Sequence, residues 1–497
     1  MIKMNKTNIE ISELGRVGVI DVGSNSVRMV VFDGAARSPA YFYNEKVLCG
    51  LGKGLVRSHK LNPDGKTRAL SALRRFKVLA DQMELNSLGA VATAAVREAE
   101  DGPAFCRQVQ DEIGIDLVSI SGEEEARLSA NGVLLGWPDA NGLVCDLGGS
   151  SLEFAEINNG KIGNIVTTAL GPLSIIDVSD DIKVQDGVIK NELAEIAPLF
   201  KRRQDNIYLV GGSLRAIAKF HMERNNYPLR VLHNYHLPVD EVLETIAIIG
   251  DSDQDELTRM VNASPARIEL LPTAIRVLKQ ILTQFKTEEV TFSSYGLREG
   301  LLFERMPAGL QTRDPLLEAC RSVEDAQARF PGFGDQLCDW LLPLFPEENE
   351  ERKRLIRAAC ILHDVYWASH PDYRSEICFY GATHANFGGI GHQGRVFIAW
   401  ALLNRYKTKA MSLGYHRLRD LLSAEERQLA ESVGRAMRLG AMMTGAEISD
   451  LGKIRKTKVA IELSLDSNGT DVFGEVVKKR FDALADSLGR KGVVTYA

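Results

Sequence analysis

Seven cysteines are scattered over 497 residues as Cys49, Cys106, Cys145, Cys320, Cys338, Cys360 and Cys378, and no CxxC pair occurs among them. The odd number and wide spacing exclude a disulfide framework or a zinc ribbon, and they fit buried thiols in a reducing compartment. The chain also lacks any run approaching the roughly 18 apolar residues that span a bilayer. Its start, MIKMNKTNIEISELGRVGVID, has no apolar signal core. Both absences point to a cytoplasmic chain with no membrane partner. An excess of positive charge is missing too: the net charge of -6 argues against nucleic acid as a partner. A polyanion could still be gripped by cations gathered in one cleft, where low-dielectric walls focus the field. What the chain has is apolar content of 45%, enough over this length for several cores and three or four domains.

One motif occurs twice. Gly18 to Ile20 is apolar, Asp21-Val-Gly-Ser-Asn-Ser26 is turn chemistry, and Val27 to Phe32 is apolar again, which reads as a β-hairpin. The pattern returns 125 positions later, where Leu143-Val-Cys leads into Asp146-Leu-Gly-Gly-Ser-Ser151, Leu152 to Ile157 and an Asn159-Gly160 turn. A single glycine turn serves any tight hairpin. Two turns that share D-[VL]-G-x-x-S can present backbone N–H groups and hydroxyls to one anion, as a phosphate nest does.

Between the hairpins, Gly89 to Thr93 reads as a strand leading into Ala94-Ala-Val-Arg97-Glu98, and Leu117 to Ile120 reads as another, feeding Ser121-Gly-Glu-Glu-Glu-Ala-Arg127. Ser121 and Glu124 have the spacing of a capping box, and Glu123 suits the helix dipole. Glu125 is left without a capping role. Further on, Ile207 to Val210 precedes Gly211-Gly-Ser213-Leu-Arg215, and Glu289 to Phe292 precedes Ser293-Ser-Tyr-Gly-Leu-Arg-Glu-Gly300. Each is a strand, a small-residue turn and a helix entry, able to set amides at the mouth of a sheet.

Taken in order, Asp21 to Ser26, Ala92-Thr-Ala-Ala-Val-Arg-Glu-Ala99, Ile120 to Leu128, Asp146 to Glu153, Gly211 to Ser213 and Tyr295 to Gly300 resemble the exopolyphosphatase and guanosine pentaphosphate phosphohydrolase family. That family lies within the actin, sugar kinase and Hsp70 ATPase superfamily. The resemblance spans roughly residues 15 to 305 and implies an α/β fold of two RNase H-like lobes with the active site between them. It implies Glu125 as the base toward water and Arg97 as a clamp on phosphate oxygens. Asp21, Gly23, Ser24, Asn25, Ser26, Thr93, Gly148, Gly149, Ser150, Ser151, Gly212 and Ser213 are the implied phosphate-binding set. Asp146 and Glu153 match acidic positions of a magnesium site. The second turn departs from the family's DIGGGSTE-like pattern, with Ser150 for the third glycine and Leu152 for the threonine. Arg28, Arg127, Arg215, Arg267 and Arg298 are further candidates to line a polyanion's path.

Beyond Met306-Pro-Ala-Gly309 the pattern turns helical. Cys360-Ile-Leu-His363-Asp364 with His370, His384 and His392 resembles the HD phosphohydrolase pattern, as in the longer exopolyphosphatases. No histidine occurs between His236 and His363, so the earlier-helix ligand of such a metal site is missing. The expected organisation is an α/β lobe over 1–135, a second over 136–310, a helical, noncatalytic HD-like domain over 311–450 that extends a basic channel and supports a homodimer, and a small α+β domain over 451–497. Lys453 to Lys458 and Lys478 to Arg480 are basic clusters suited to that channel. The expected activity is removal of terminal phosphate from inorganic polyphosphate. The alternatives are guanosine pentaphosphate as substrate, a nonenzymatic polyphosphate or nucleotide sensor, and an ATP-dependent kinase.

Overall fold

The computed structural model describes residues 15–34, 37–201, 204–406, 415–444 and 447–496. Residues 1–14, which hold most of the stretch read for a signal core, lie outside them. The chain divides into two compact units, Met1–Arg313 and Asp314–Ala497.

The first unit repeats one sheet. Strands β1 (Val17–Val22), β2 (Ser26–Phe32), β3 (Tyr41–Leu48), β4 (Ser87–Ala92) and β5 (Leu117–Ser119) lie in the order β3-β2-β1-β4-β5. The first three pair antiparallel, and β4 and β5 add in parallel. Strands β6 (Gly142–Leu147), β7 (Leu152–Asn158), β8 (Lys161–Thr168), β9 (Ile207–Val210), β10 (Tyr235–Pro238) and β11 (Glu289–Phe292) form the second sheet, ordered β10-β11-β9-β6-β7-β8. Read from β8, this order is the first sheet again, with β10 as an added antiparallel edge. The central strands β1 and β6 carry near-continuous apolar runs because both of their faces are buried. The β7–β8 loop is Asn159 (φ 47°) and Gly160 (φ 74°), the left-handed pair that a two-residue hairpin needs.

Two helices of this unit meet through glycine. A Cβ on Gly300 would lie 1.8 Å from Leu128 O, and one on Gly132 would lie 2.3 Å from Gly296 O. The Gly122–Gly136 and Leu297–Arg305 helices therefore touch backbone to backbone. This is a packing reason for the glycines of Tyr295 to Gly300, and it fixes the carriers of Glu125 and Arg298 against each other.

The second unit opens with helices Pro315–Gln327, Phe333–Leu341, Glu350–Ile361, Arg374–His384, His392–Tyr406 and Ala424–Met443. A three-stranded sheet follows, β12 (Lys453–Lys456), β13 (Ala460–Leu465) and β14 (Lys491–Tyr496), with helix Glu475–Ser487 packed on it. Asp466 is the N-cap residue of a short helix, Ser467–Val472, that follows β13. Strand β14 was not anticipated. The sheet is tied to the helices, since Trp340 Nε1 donates to Gly452 O at 2.9 Å and Arg435 Nη1 to Ala483 O at 3.0 Å. The basic cluster at 453–458 is largely paired on the surface, Arg455 with Glu462 and Lys456 with Glu347. Among the described residues no helix is long and apolar enough to cross a membrane. The architecture is α/β, two RNase H-like lobes of the actin-like ATPase type followed by helical and small α+β segments.

Candidate active site

The two duplicated turns face each other. In the first, Gly23 N donates to Ser26 O at 3.0 Å; in the second, Gly148 N donates to Ser151 O at the same distance. The position of a Cβ on Gly149 is 3.3 Å from Ser24 Cβ and 3.9 Å from Asn25 N, so only a glycine-sized gap separates the turns. The N–H groups of Ser24, Asn25, Gly149 and Ser150 find no acceptor among the described residues. Four unused amides on two facing turns are the groups that an anion nest employs. Asn25 O anchors the first turn by accepting from Cys49 N and Gly50 N, and Thr93 N bonds Val22 O beside it. Gly23 lies close to both Asp21 Oδ1 and Thr93 Oγ1.

The serine side chains of the second turn look elsewhere. Ser150 Oγ points at Gly52 of the first lobe, 3.3 Å from where a Cβ would stand there. Ser151 is turned to Glu153. Both are buried. Phosphate would meet the backbone of this turn rather than its hydroxyls. Gly212 and Ser213 open the Gly212–Arg224 helix, where the Arg267 guanidinium lies against Gly212, within 2.6 Å of a Cβ position. That loop thus joins a group of cations and not the carboxylates.

Beside the nest stands a set of buried acids. Glu125, 8% exposed, accepts from Arg97 Nη1 at 3.1 Å. Arg97 also donates to Ile120 O. Burial pushes the Glu125 carboxyl up to about 7, against the pull of Arg97 and with help from Asp146 and Asp21. Asp146 and Glu153 are directly opposed on β6 and β7. Burial raises both, and Glu153 is raised further by Glu125 and Asp146. Ser129 Oγ donates to Asp146 Oδ2, and Thr167 Oγ1 to Glu153 Oε1 at 3.3 Å. Crowded carboxylates whose proton affinity is raised by burial and by one another suit a divalent ion. Among the described residues no three His, Cys, Asp or Glu side chains are set to hold a metal. Asp146 and Glu153 would offer a divalent ion two carboxylates, a hard oxygen set of the kind magnesium accepts.

Glu124 differs from the capping-box expectation. Ser121 Oγ does accept from Glu124 N at 3.1 Å, but the Glu124 carboxylate takes Arg127 Nε and Nη2 at 2.9 and 2.6 Å instead of closing the box. A two-bond guanidinium contact outcompetes one backbone N–H. Arg127, which also bonds Glu304, is spent there and lines no path.

The other candidate arginines converge. Arg28 is directly opposed to Lys46 on β2 and β3. Burial and then Arg298 and Arg215 lower Arg28 to about 10. Burial followed by Arg267, Arg28, Arg298 and Arg215 lowers Lys46 to about 8. Lys219 is lowered likewise by burial, Arg267 and Arg215. Arg298 Nη1 holds Asp21 Oδ2 at 2.9 Å, linking this group to the acids. Glu299 offsets it in part, although it is also occupied in accepting from Gly296 N and Tyr41 Oη at 2.9 and 3.0 Å. Six cations thus gather on a partly buried surface and lower one another's proton affinity, a concentration of positive charge that suits a polyanion. Lys46 and Lys219 escaped the sequence reading. Their signals were the cross-strand register with Arg28 and the i,i+4 spacing from Arg215.

The comparisons agree with this architecture. The family model "Ppx/GppA phosphatase family" matches residues 30–308, and "Exopolyphosphatase, C-terminal" matches residues 316–494. Retrograde regulation protein 2 of Saccharomyces cerevisiae is 22% identical over 444 residues, covering 80% of this chain and 74% of that protein. An exopolyphosphatase from Cytophaga hutchinsonii is 25% identical with a TM-score of 0.53, covering 58% of this chain and 96% of the solved one. The Ppx/GppA member from Aquifex aeolicus, 24% identical with a TM-score of 0.50 and the same coverage, shares the fold. With both units matched in order, the chain belongs to the Ppx/GppA phosphatase family.

Proposed function

We propose that the protein is an exopolyphosphatase that removes terminal phosphate from inorganic polyphosphate. The observation that carries this reading is the joining of a buried carboxylate set to a track of mutually repelling cations, Arg28, Lys46, Arg215, Lys219, Arg267 and Arg298. A single phosphate needs only the nest; a track of this charge suits many phosphates in a row.

In this reading the terminal phosphate sits on the amides of Ser24, Asn25, Gly149 and Ser150. Asp146 and Glu153 hold magnesium, which when bound neutralises charge on phosphoryl oxygens. Arg97 leaves Glu125 to take two of those oxygens, because a planar guanidinium suits bidentate phosphate contact. That exchange frees Glu125 as it is needed. Its proton affinity, raised to about 7 by burial, lets it accept a proton from the attacking water near neutral pH. Phosphoryl transfer to water asks mainly for positioning and charge stabilisation, which these groups supply.

The test is phosphate release from tripolyphosphate, long-chain polyphosphate and guanosine pentaphosphate, each with and without magnesium. Magnesium-dependent release from both inorganic substrates is expected, with the long chain preferred. Release from guanosine pentaphosphate alone would replace this substrate with the nucleotide.

A further inference from the structure

The His–Asp pair of the second unit has no part in the chemistry above, and its surroundings are unusual in charge. Where an HD enzyme would place a metal on the aspartate, this chain places a guanidinium. Arg329 Nε donates to Asp364 Oδ2 at 2.8 Å and Nη2 to Oδ1 at 2.6 Å. His363 is buried, with Nδ1 2.8 Å from Cys360 O. Burial and then the nearby Arg405 hold it down to about 4, so it adds no charge of its own.

Two more guanidiniums stand next to this pair. Arg405 and Arg374 lie 4.5 and 5.6 Å from the centre of the Tyr406 ring, and Tyr406 Oη donates to His363 O at 2.8 Å. The ionisable neighbours acting on Arg405 are Tyr406, Asp364, Cys378 and Arg329. Burial raises Cys378 and Tyr406 to about 12, so both are neutral, and Asp364 is taken up by Arg329. Arg374 makes one bond, to Ser369 O at 3.2 Å. Among the described residues the Arg405 side chain has no hydrogen-bond or ion-pair partner, and its Nε, like that of Arg374, is cut off from solvent without one.

A guanidinium carries five donors, and leaving it desolvated and unpaired is unfavourable unless an anion completes it. Three cations against one carboxylate leave an excess of two charges, which matches a phosphoryl group better than a single carboxylate. We propose that Arg374 and Arg405, with Arg329 beside them, form a second anion site within the C-terminal unit, one that takes a phosphoryl group of a polyphosphate or nucleoside polyphosphate. Arginine forks grip phosphate oxygens in pairs, and the Tyr406 ring lies against both the Arg405 and the Arg374 guanidinium.

The experiment is calorimetric titration of the full chain in EDTA, with tripolyphosphate in one arm and GTP in the other, on wild type and Arg405→Met. An Arg405-dependent binding event is expected, lost or weakened at least about tenfold in the variant, a tenfold loss being about 1.4 kcal/mol. Phosphate release by the first unit should not change. If GTP gives the same event, the site reads the triphosphate group alone; if only tripolyphosphate does, it admits unsubstituted chains. Identical isotherms for wild type and Arg405→Met in both arms overturn the proposal. Should the methionine variant fail to fold, Arg405→Lys keeps the charge without the fork, and unchanged binding in that protein overturns it equally.

Discussion

Each unit sets a buried acid against an arginine, Glu125 with Arg97 in the first and Asp364 with Arg329 in the second, and the two contacts are built for opposite ends. Glu125 meets Arg97 through one bond of 3.1 Å and, burial outweighing that contact, sits at about 7. Asp364 meets Arg329 through two, and these overcome the effect of burial to hold its carboxyl below the usual range. One contact leaves a carboxylate ready to change partner; two contacts lock it. The same residue types therefore give a poised group in one place and a fixed charge in the other.

The largest expected effect comes from removing the poised acid. Glu125→Gln should lower phosphate release by about 10² to 10⁴ while leaving the fold intact, since it keeps shape and loses the base. Near-normal turnover would take Glu125 out of the chemistry. Next is Arg97→Lys, which keeps charge but loses the fork; a fall of about tenfold or more in kcat is expected if the arginine passes from Glu125 to phosphate. Equal rates would break the exchange.

Acidity gives a third test. Release should rise as Glu125 deprotonates toward pH 7 and fall above about 8 as Lys46 loses its proton. Glu125→Gln should erase the acid limb, and Lys46→Arg should move the alkaline limb upward. Stability has its own sign. Folded Glu125 keeps its proton to a higher pH than the unfolded group, so its contribution falls from about pH 4.5 to about 7. Glu125→Gln should consequently melt higher than wild type at pH 8.

In the locked pair, Arg329→Ala leaves Asp364 buried and uncompensated. A loss of about 2 kcal/mol at neutral pH is expected, at the modest end because Arg329 is half-exposed. Since Asp364 is depressed in the folded state, the loss should fade as the pH falls toward its titration range, which chemical denaturation at two pH values would show. The smallest effect belongs to Glu124→Gln. Its carboxylate pairs with Arg127 near the surface, so stability should change by less than about 1 kcal/mol and turnover barely at all.

Much of the fold was legible because the duplicated turns sit between short apolar strands, a pattern local enough to read. Strand β3 was not, as Tyr41 to Leu48 is exposed along alternate residues. Strand β14 is mostly exposed and hides for the same reason. In the site, Glu125 stood out through the family resemblance, the helix start at Ser121 only leaving it without a capping role. The cation track was legible only in part: Arg28, Arg215, Arg267 and Arg298 stood as candidates, but Lys46, Lys219 and the convergence of all six did not, because they come from β2, β3 and three separate helical segments and each alone resembles a surface residue. Only pairing register and folding bring them to one place. Ser150 shows the converse: its departure from glycine was visible, but its contact with Gly52 required the other lobe.

The glycine seam between the Gly122–Gly136 and Leu297–Arg305 helices has a consequence for how this protein can change. Because main chains touch there, the positions of Glu125 and Arg298 do not depend on the size of any side chain between them. Substitutions along the cation track can then retune which anion is held without displacing the group that activates water. The seam separates substrate range from chemistry, so that one can drift over generations while the other stays fixed.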